Sequence, residues 1–298
     1  MNNNILTVGS IAFYSIKTIK GSCNNIIGGS STYFSIAASK YANVHIVGIV
    51  GNDFPQSGWE LYSNNNIDVS NVQVKEGKTF SWGGEYSDNF SSRQTLYTDL
   101  GVFEHFTPVI NTSTLQSKYV FLGNIQPSLQ LQVKKQVELG AIIVLDTMNL
   151  WIDNNAQELM EVICDIDVFM LNDEEALQLT NMHTISGAGE KLISLGAKSV
   201  VIKQGADGST LFHENQQTHI GSVPNVNVYD PTGAGDSFAG GFVGYLAKHD
   251  SVDYINAIIH GTAIASFTVG NFGVQGLLDV SNQELQNRIN LLEEIQYG

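Results

Sequence analysis

Near the C-terminal third the chain reads Asp230-Pro231-Thr232-Gly233-Ala234-Gly235-Asp236-Ser237-Phe238, followed by AGGFVGYLA. Pro231 and the two glycines break regular structure, and a run of small residues lets consecutive backbone N–H groups point the same way. The apolar run that follows predicts a helix starting near Asp236, so those amides sit at the positive end of a helix dipole. Such a place holds an anion of phosphate size. A carboxylate there is a poor ligand for phosphate, but it can take a proton from a hydroxyl that attacks one. Asp236 is therefore read either as an ordinary cap of the helix or as a general base, an assistance worth roughly 10²–10⁴ in rate. Gly240, Gly241 and Gly244 inside the helix point to close packing or close approach of a ligand, since each costs about 1 kcal/mol against Ala.

Two weaker signals precede it. Asn172-Asp-Glu-Glu175 follows an apolar run and opens a helix; it reads as a capping box, or as oxygen ligands at a strand's carboxyl end that hold Mg²⁺ through its waters. Lys203-Gln-Gly205-Ala-Asp-Gly208 reads as a plain hairpin turn or as a turn that touches a nucleotide. Other signatures are missing. There is no GxxxxGK[ST], the run ending in Phe238 fails the dinucleotide fingerprint, and His213-Glu214 with His219 does not have the HExxH zinc spacing.

The elements that must carry these residues alternate. Ile5–Ile11 and His45–Val50 read as strands, with a helix at Ser31–Tyr41 between them. Tyr119–Leu122, Ile142–Asp146, Asp167–Leu171 and Ser199–Lys203 read as further strands separated by helices. Near-continuous apolar runs of this kind suit parallel strands buried on both faces. Ser237–Ala247, Val252–Val269 and Asn282–Glu294 read as helices. Two stretches break the pattern: Phe13–Ile27, and Val72–Phe106 with Phe80, Trp82, Tyr86, Phe90, Tyr97 and Phe103. Both are read as strands of a small antiparallel sheet, with long surface loops as the alternative. The expected organisation is one domain over 1–298, with a lid formed by about 12–27 and 72–106.

Lys and Arg number 14 against 29 Asp and Glu, a formal charge of −15. That balance disfavours nucleic-acid phosphates and anionic membranes as partners. With 43% hydrophobic and 14% charged residues the chain can build a large core. Two cysteines, Cys23 and Cys164, make no disulfide framework. We expect no signal peptide, no membrane span and a cytoplasmic location.

In order along the chain stand Gly28-Gly29 before the first helix, Val47-Gly-Ile-Val-Gly51-Asn-Asp53, Asn172-x-x-Glu175, Lys203-x-Gly205-x-x-Gly208, and Asp230 through Phe238. With these five marks the sequence resembles the ribokinase-like (PfkB) carbohydrate kinases over essentially its whole length. The resemblance implies a doubly wound, mostly parallel α/β sheet flanked by helices, with a small β-sheet lid. It also implies ATP-dependent phosphorylation of a hydroxyl on a sugar or nucleoside. Position by position, Asp236 is similar to the catalytic base, and Gly233, Ala234 and Gly235 to the anion hole. Asn172 and Glu175 match the residues that organise Mg²⁺ and the phosphates, while Lys203, Gly205 and Gly208 match the turn lining the nucleotide. Asn271 and Gly273 match a segment bordering the adenine, and Asp230 and Thr232 match positions that bind a monovalent cation such as K⁺ in some members. Gly28 and Gly29 lie on the acceptor side.

The chain departs from that pattern where the acceptor binds. Tyr14 stands where the family generally has an Asp, Ala12 stands for the common Asn, and Ser30–Phe34 lacks the Asn that follows the paired glycines. An Asp accepts two hydroxyl hydrogen bonds, whereas Tyr offers one hydroxyl and a flat face. This favours a larger or aromatic-bearing acceptor such as a nucleoside. Trp82, Arg93 and Asn124 are candidate acceptor contacts. The expected function is a small-molecule kinase acting on a sugar or sugar-bearing alcohol, dimeric through its lid. The alternatives are a nucleoside kinase, or a nucleotide-binding regulatory protein that no longer phosphorylates an acceptor.

Overall fold

The computed structural model describes residues 2–298. The chain runs β1 (Asn2–Val8), β2 (Ala12–Thr18), β3 (Gly21–Gly28), α1 (Ser30–Ala38), β4 (Val44–Gly51), α2 (Gln56–Asn64), β5 (Ile67–Lys75), β6 (Ser81–Tyr86) and β7 (Arg93–Asp99). It continues through β8 (Ser117–Leu122), α3 (Pro127–Gln136), β9 (Ile142–Asp146), α4 (Asn149–Asn154), α5 (Ala156–Ile163), β10 (Val168–Asn172), α6 (Asp173–Thr180), α7 (Ile185–Ser194) and β11 (Ser199–Lys203). The hairpin β12 (Ser209–His213) and β13 (Gln216–Ile220) precedes α8 (Ala234–His249), α9 (Tyr254–Thr268), α10 (Gln275–Asp279) and α11 (Asn282–Tyr297).

The apolar runs form the centre of a nine-stranded sheet, ordered β13-β12-β11-β10-β9-β8-β1-β4-β5. Its pairs are parallel from β5 to β11, and the hairpin closes one end antiparallel. Successive side chains alternate between two cores. Ile5, Tyr119, Phe121, Val144 and Met170 face Phe34, Phe242 and Ile258 of α1, α8 and α9. Leu6, Val120, Leu122, Leu145 and Phe169 face Leu129, Leu159 and Leu192 of α3, α5 and α7. Burial on both faces explains why these strands read as unbroken apolar runs. The glycines of α8 serve packing: a Cβ on Gly240 would lie 2.5 Å from Phe34 O, and one on Gly241 2.9 Å from Gly261 Cα.

The two anomalous stretches form a separate four-stranded sheet, ordered β3-β2-β6-β7. Its outer pairs are antiparallel, while β2 and β6 run parallel and set Tyr14 opposite Trp82. The limits differ from expectation at both ends of the second stretch. Val72–Lys75 extends β5 of the main sheet, with Val72 opposite Gly48, because β4 offers it a parallel partner. Gly101–His105 is a 3₁₀ turn, and Val102 and Phe106 sink into the main core. Every residue of β7 is exposed. Among the described residues no helix is long and apolar enough to cross a membrane, and both cysteines are free.

Candidate active site

Because β1, β8, β9, β10 and β11 are parallel neighbours, they end on one edge of the sheet. Chemistry gathers there: Asn124 follows β8, Asp146 ends β9, Asn172 ends β10 and Lys203 ends β11. From β1 the chain winds first to β4 and β5, then back to β8 on the other side. The crevice outside the strands at such a reversal is where open α/β sheets bind ligands.

The small-residue run closes this crevice. Helix α8 begins at Ala234, slightly earlier than expected, with Gly233 as its N-cap in the left-handed conformation at φ 76°. Glycine is required twice over, since a Cβ there would also lie 2.3 Å from Tyr33 Cδ1. The Ala234 N–H is already spent on Pro231 O at 3.2 Å. Among the described residues the amides of Gly233, Gly235 and Asp236 find no acceptor. These three amides are left free to donate, whereas that of Ala234 is not. Asp236 Oδ1 is buried without a hydrogen-bond partner, as is Ser237 Oγ. Burial, then the charge of Asp146, pushes the Asp236 carboxyl up to about 7, against the pull of Lys203.

Asn172 and Glu175 form the complete capping box of α6. Asn172 Oδ1 accepts from the Glu175 N–H at 2.7 Å, and Glu175 Oε2 accepts from the Asn172 N–H at 2.9 Å. The cap fixes Glu175 at the sheet edge, where burial and Asp146 raise its carboxyl to about 7. Lys203 closes β11 just before the turn. Its Nζ points inward and donates to Asp146 Oδ1 at 3.0 Å. Burial works against its charge, but Asp146 and Glu175 outweigh it and raise the ammonium's pKa. The turn itself lies beyond. Gly205, at φ 58°, has open space where a Cβ would point, and Gly208 packs tightly on Ile220 O.

The opposite wall is aromatic. The Tyr14 ring lies across Gly28, where a Cβ would come within 2.7 Å of it, while Gly29 begins α1 at φ 100° against Ser10 O. Tyr14 packs 6.3 Å from Tyr33 and meets Trp82 edge-on at 5.2 Å. The Arg93 guanidinium stands 5.2 Å over the Trp82 ring. Burial and then the charge of Asp236 push the Tyr14 hydroxyl's pKa up, and Arg93 opposes them. Asn124 is held by the Trp151 indole N–H, which donates to its Oδ1 at 2.8 Å.

Asp230 is fully buried. Its carboxylate accepts from the Thr232 N–H at 2.9 Å and the Gly273 N–H at 3.4 Å. Thr232 Oγ1 donates to the Tyr86 hydroxyl at 3.0 Å. Gly273 thus belongs with Asp230, and Asn271 is turned into its own loop, accepting from the Phe272 N–H at 2.8 Å.

A family model described as pfkB family carbohydrate kinase matches residues 8–280. The chain belongs to that family. As a pfkB family kinase it is an ATP-using phosphotransferase with an alcohol group as acceptor. A cytidine kinase of Thermococcus kodakarensis is 28% identical over 222 residues, covering 72% of this chain and 78% of the relative. A nucleoside kinase of Methanocaldococcus jannaschii is 24% identical over 258 residues, covering 85% and 82%. Its crystal structure superposes with a TM-score of 0.79 at 20% identity, over 97% of this chain and 98% of that one. A protein of E. coli assigned as a ribokinase II, solved with ATP and Mg²⁺, gives a TM-score of 0.82 at 20% identity, over 98% and 100%. These likenesses establish the ribokinase-like fold.

Three residues of this pfkB kinase's crevice escaped the sequence reading. Tyr33 lay inside a helix whose residues are all buried. Trp151 carried no motif. Asp146 could have been found, because an acid closing an apolar strand run belongs at the ligand edge of a parallel sheet.

Proposed function

We propose that this kinase transfers the γ-phosphoryl group of ATP to a hydroxyl of a sugar-bearing alcohol, with Asp236 as general base. One observation carries the reading: a buried carboxylate oxygen without a partner, next to unpaired amides, on a group that titrates near 7. The acceptor's O–H gives its proton to Asp236, its oxygen attacks the γ-phosphorus, and the bond to the bridging oxygen breaks to leave ADP. The amides of Gly233, Gly235 and Asp236 stabilise the charge that develops on the phosphoryl oxygens.

Among the described residues no three acidic, His or Cys side chains converge to hold a metal directly. The donor set suits Mg²⁺ carried by the nucleotide's phosphates and its own waters, with Asn172 and Glu175 beside them; when bound, it neutralises phosphate charge. Asp230 fits a monovalent cation, because its buried carboxylate has no Lys or Arg partner. In this reading the small sheet is a lid on one domain, and its exposed β7 edge suits pairing with a second copy. The free cysteines suit a reducing compartment such as the cytoplasm.

A nucleoside is the acceptor class that the crevice favours. The wall of Tyr14, Trp82 and Arg93 offers stacking faces where a free sugar needs a carboxylate to grip its diol. The cytidine and nucleoside kinases among its relatives point the same way. The test is ATP consumption with Mg²⁺ and K⁺ across pentoses, hexoses, sugar phosphates and nucleosides, with Asp236→Ala as the blank. Acceptor-dependent turnover that survives in the variant removes Asp236 from the mechanism.

A further inference from the structure

Lys203 and Asp146 end strands that are not neighbours; β10 stands between them. Their side chains meet across its end at 3.0 Å, with 17% and 7% of their surfaces exposed. The same ammonium also stands beside the small-residue run, where a Cβ on Gly235 would lie 3.0 Å from Lys203 Nζ. The space in front of Gly235 therefore opens onto a fixed positive charge. The charges of Glu175 and then Asp236 also favour the ammonium's charged form.

We propose that Lys203 is a catalytic cation that meets the phosphoryl group during transfer, and that Asp146 is the positioning residue that holds it there. The proposal rests on the reading of Asp236 and the nest given above. An ammonium is a compact charge with three donors, and Asp146 takes one of them. The others remain for phosphoryl oxygens leaving the nucleotide. Asp146 has a second effect. Pairing with Asp146 leaves Asp236 Oδ1 without a partner, as the group that must accept a proton requires. The same pairing holds the cation beside the small-residue run and off the base.

The test uses the full-length chain as wild type, Lys203→Met, Lys203→Arg, Asp146→Asn and the double variant Lys203→Met/Asp146→Asn. Calorimetry compares ADP with the non-hydrolysable triphosphate AMP-PNP, both with Mg²⁺, and turnover is measured with the acceptor that the panel yields. Lys203→Met weakens AMP-PNP about tenfold or more while leaving ADP within about threefold. Its kcat falls about 100-fold or more, and Lys203→Arg recovers part of the preference for the triphosphate. Asp146→Asn moves preference and kcat in the same direction, and the double variant is no worse than Lys203→Met, because the pair acts as a unit. Equal losses for ADP and AMP-PNP overturn the role of Lys203. Wild-type preference and kcat in Asp146→Asn overturn the role of Asp146. If a single variant does not fold, the uncharged double variant decides: wild-type preference for the triphosphate there overturns the proposal. The nucleotide comparison needs no acceptor, so it remains readable even if no Asp236-dependent turnover is found and the kinase role of Asp236 falls.

Discussion

The ring of Tyr33 lies against the backbone of Gly233, leaving no room for a Cβ on that residue. A buried residue of α1 thereby shapes the loop that presents the unpaired amides, and its hydroxyl has no partner of its own. The nest is held from behind by the main core as much as by its own turn.

Gly233→Ala combines this overlap with the penalty for an L-residue at φ 76°. We expect it to lower stability by about 2–3 kcal/mol, and Tyr33→Leu to restore part of the loss. Chemical denaturation of the two variants and their combination measures both. An alanine variant as stable as wild type contradicts the packing described.

Asp236→Asn keeps the shape of the site and removes the proton acceptor. Acceptor-dependent kcat falls about 10²–10⁴-fold while ATP binding by calorimetry changes little. A loss confined to nucleotide affinity contradicts a role in proton transfer.

The pH dependence follows from the same carboxyl. Its pKa is raised to about 7, so it is protonated and unable to accept below that value. The kcat/KM profile therefore drops about tenfold per unit below roughly pH 7 and flattens above it. Because the Asp146 charge helps raise this pKa, Asp146→Asn shifts the drop to lower pH. A drop that stays in place or moves upward is incompatible with the assignment.

Stability carries the opposite sign. A carboxyl with a raised folded-state pKa favours the folded state when protonated, and it loses that contribution as pH rises through about 7. Relative to a neutral amide, wild type is thus penalised increasingly from about pH 4 to pH 7, and constantly above. Asp236→Asn should be more stable than wild type at pH 8 by about 3–4 kcal/mol, and no more stable near pH 4. Thermal unfolding at the two values reads the difference.

Trp82→Ala removes one face of the aromatic wall along with the support under Arg93. The expected result is a rise in KM for nucleosides of about tenfold or more, with the KM for ATP unchanged. An unaltered nucleoside KM places the acceptor elsewhere.

What could be read from the sequence was whatever lies close together along the chain. The nest, Asp236 and the Asn172–Glu175 cap each fit within one turn, so residue type and spacing define them. The paired parallel strands were legible because burial on both faces writes itself as an apolar run. Val72–Lys75 was misplaced because a strand does not announce which of two sheets will pair it. Lys203 read as part of its hairpin, because its partner Asp146 lies beyond an intervening strand. The contact of Tyr33 with Gly233 joins two helices that only packing brings together.

Tyr14 and Trp82 face each other across the parallel junction of β2 and β6, with β3, α1, β4, α2 and β5 encoded between them. Recombination with a relative anywhere between these positions would therefore separate one half of the aromatic wall from the other. Asp146, Lys203 and Asp236 would still be inherited together. Chimeras joined there should keep the means of activating a phosphate and lose the means of choosing its recipient, so a library meant to change substrate must vary positions 14 and 82 as a pair.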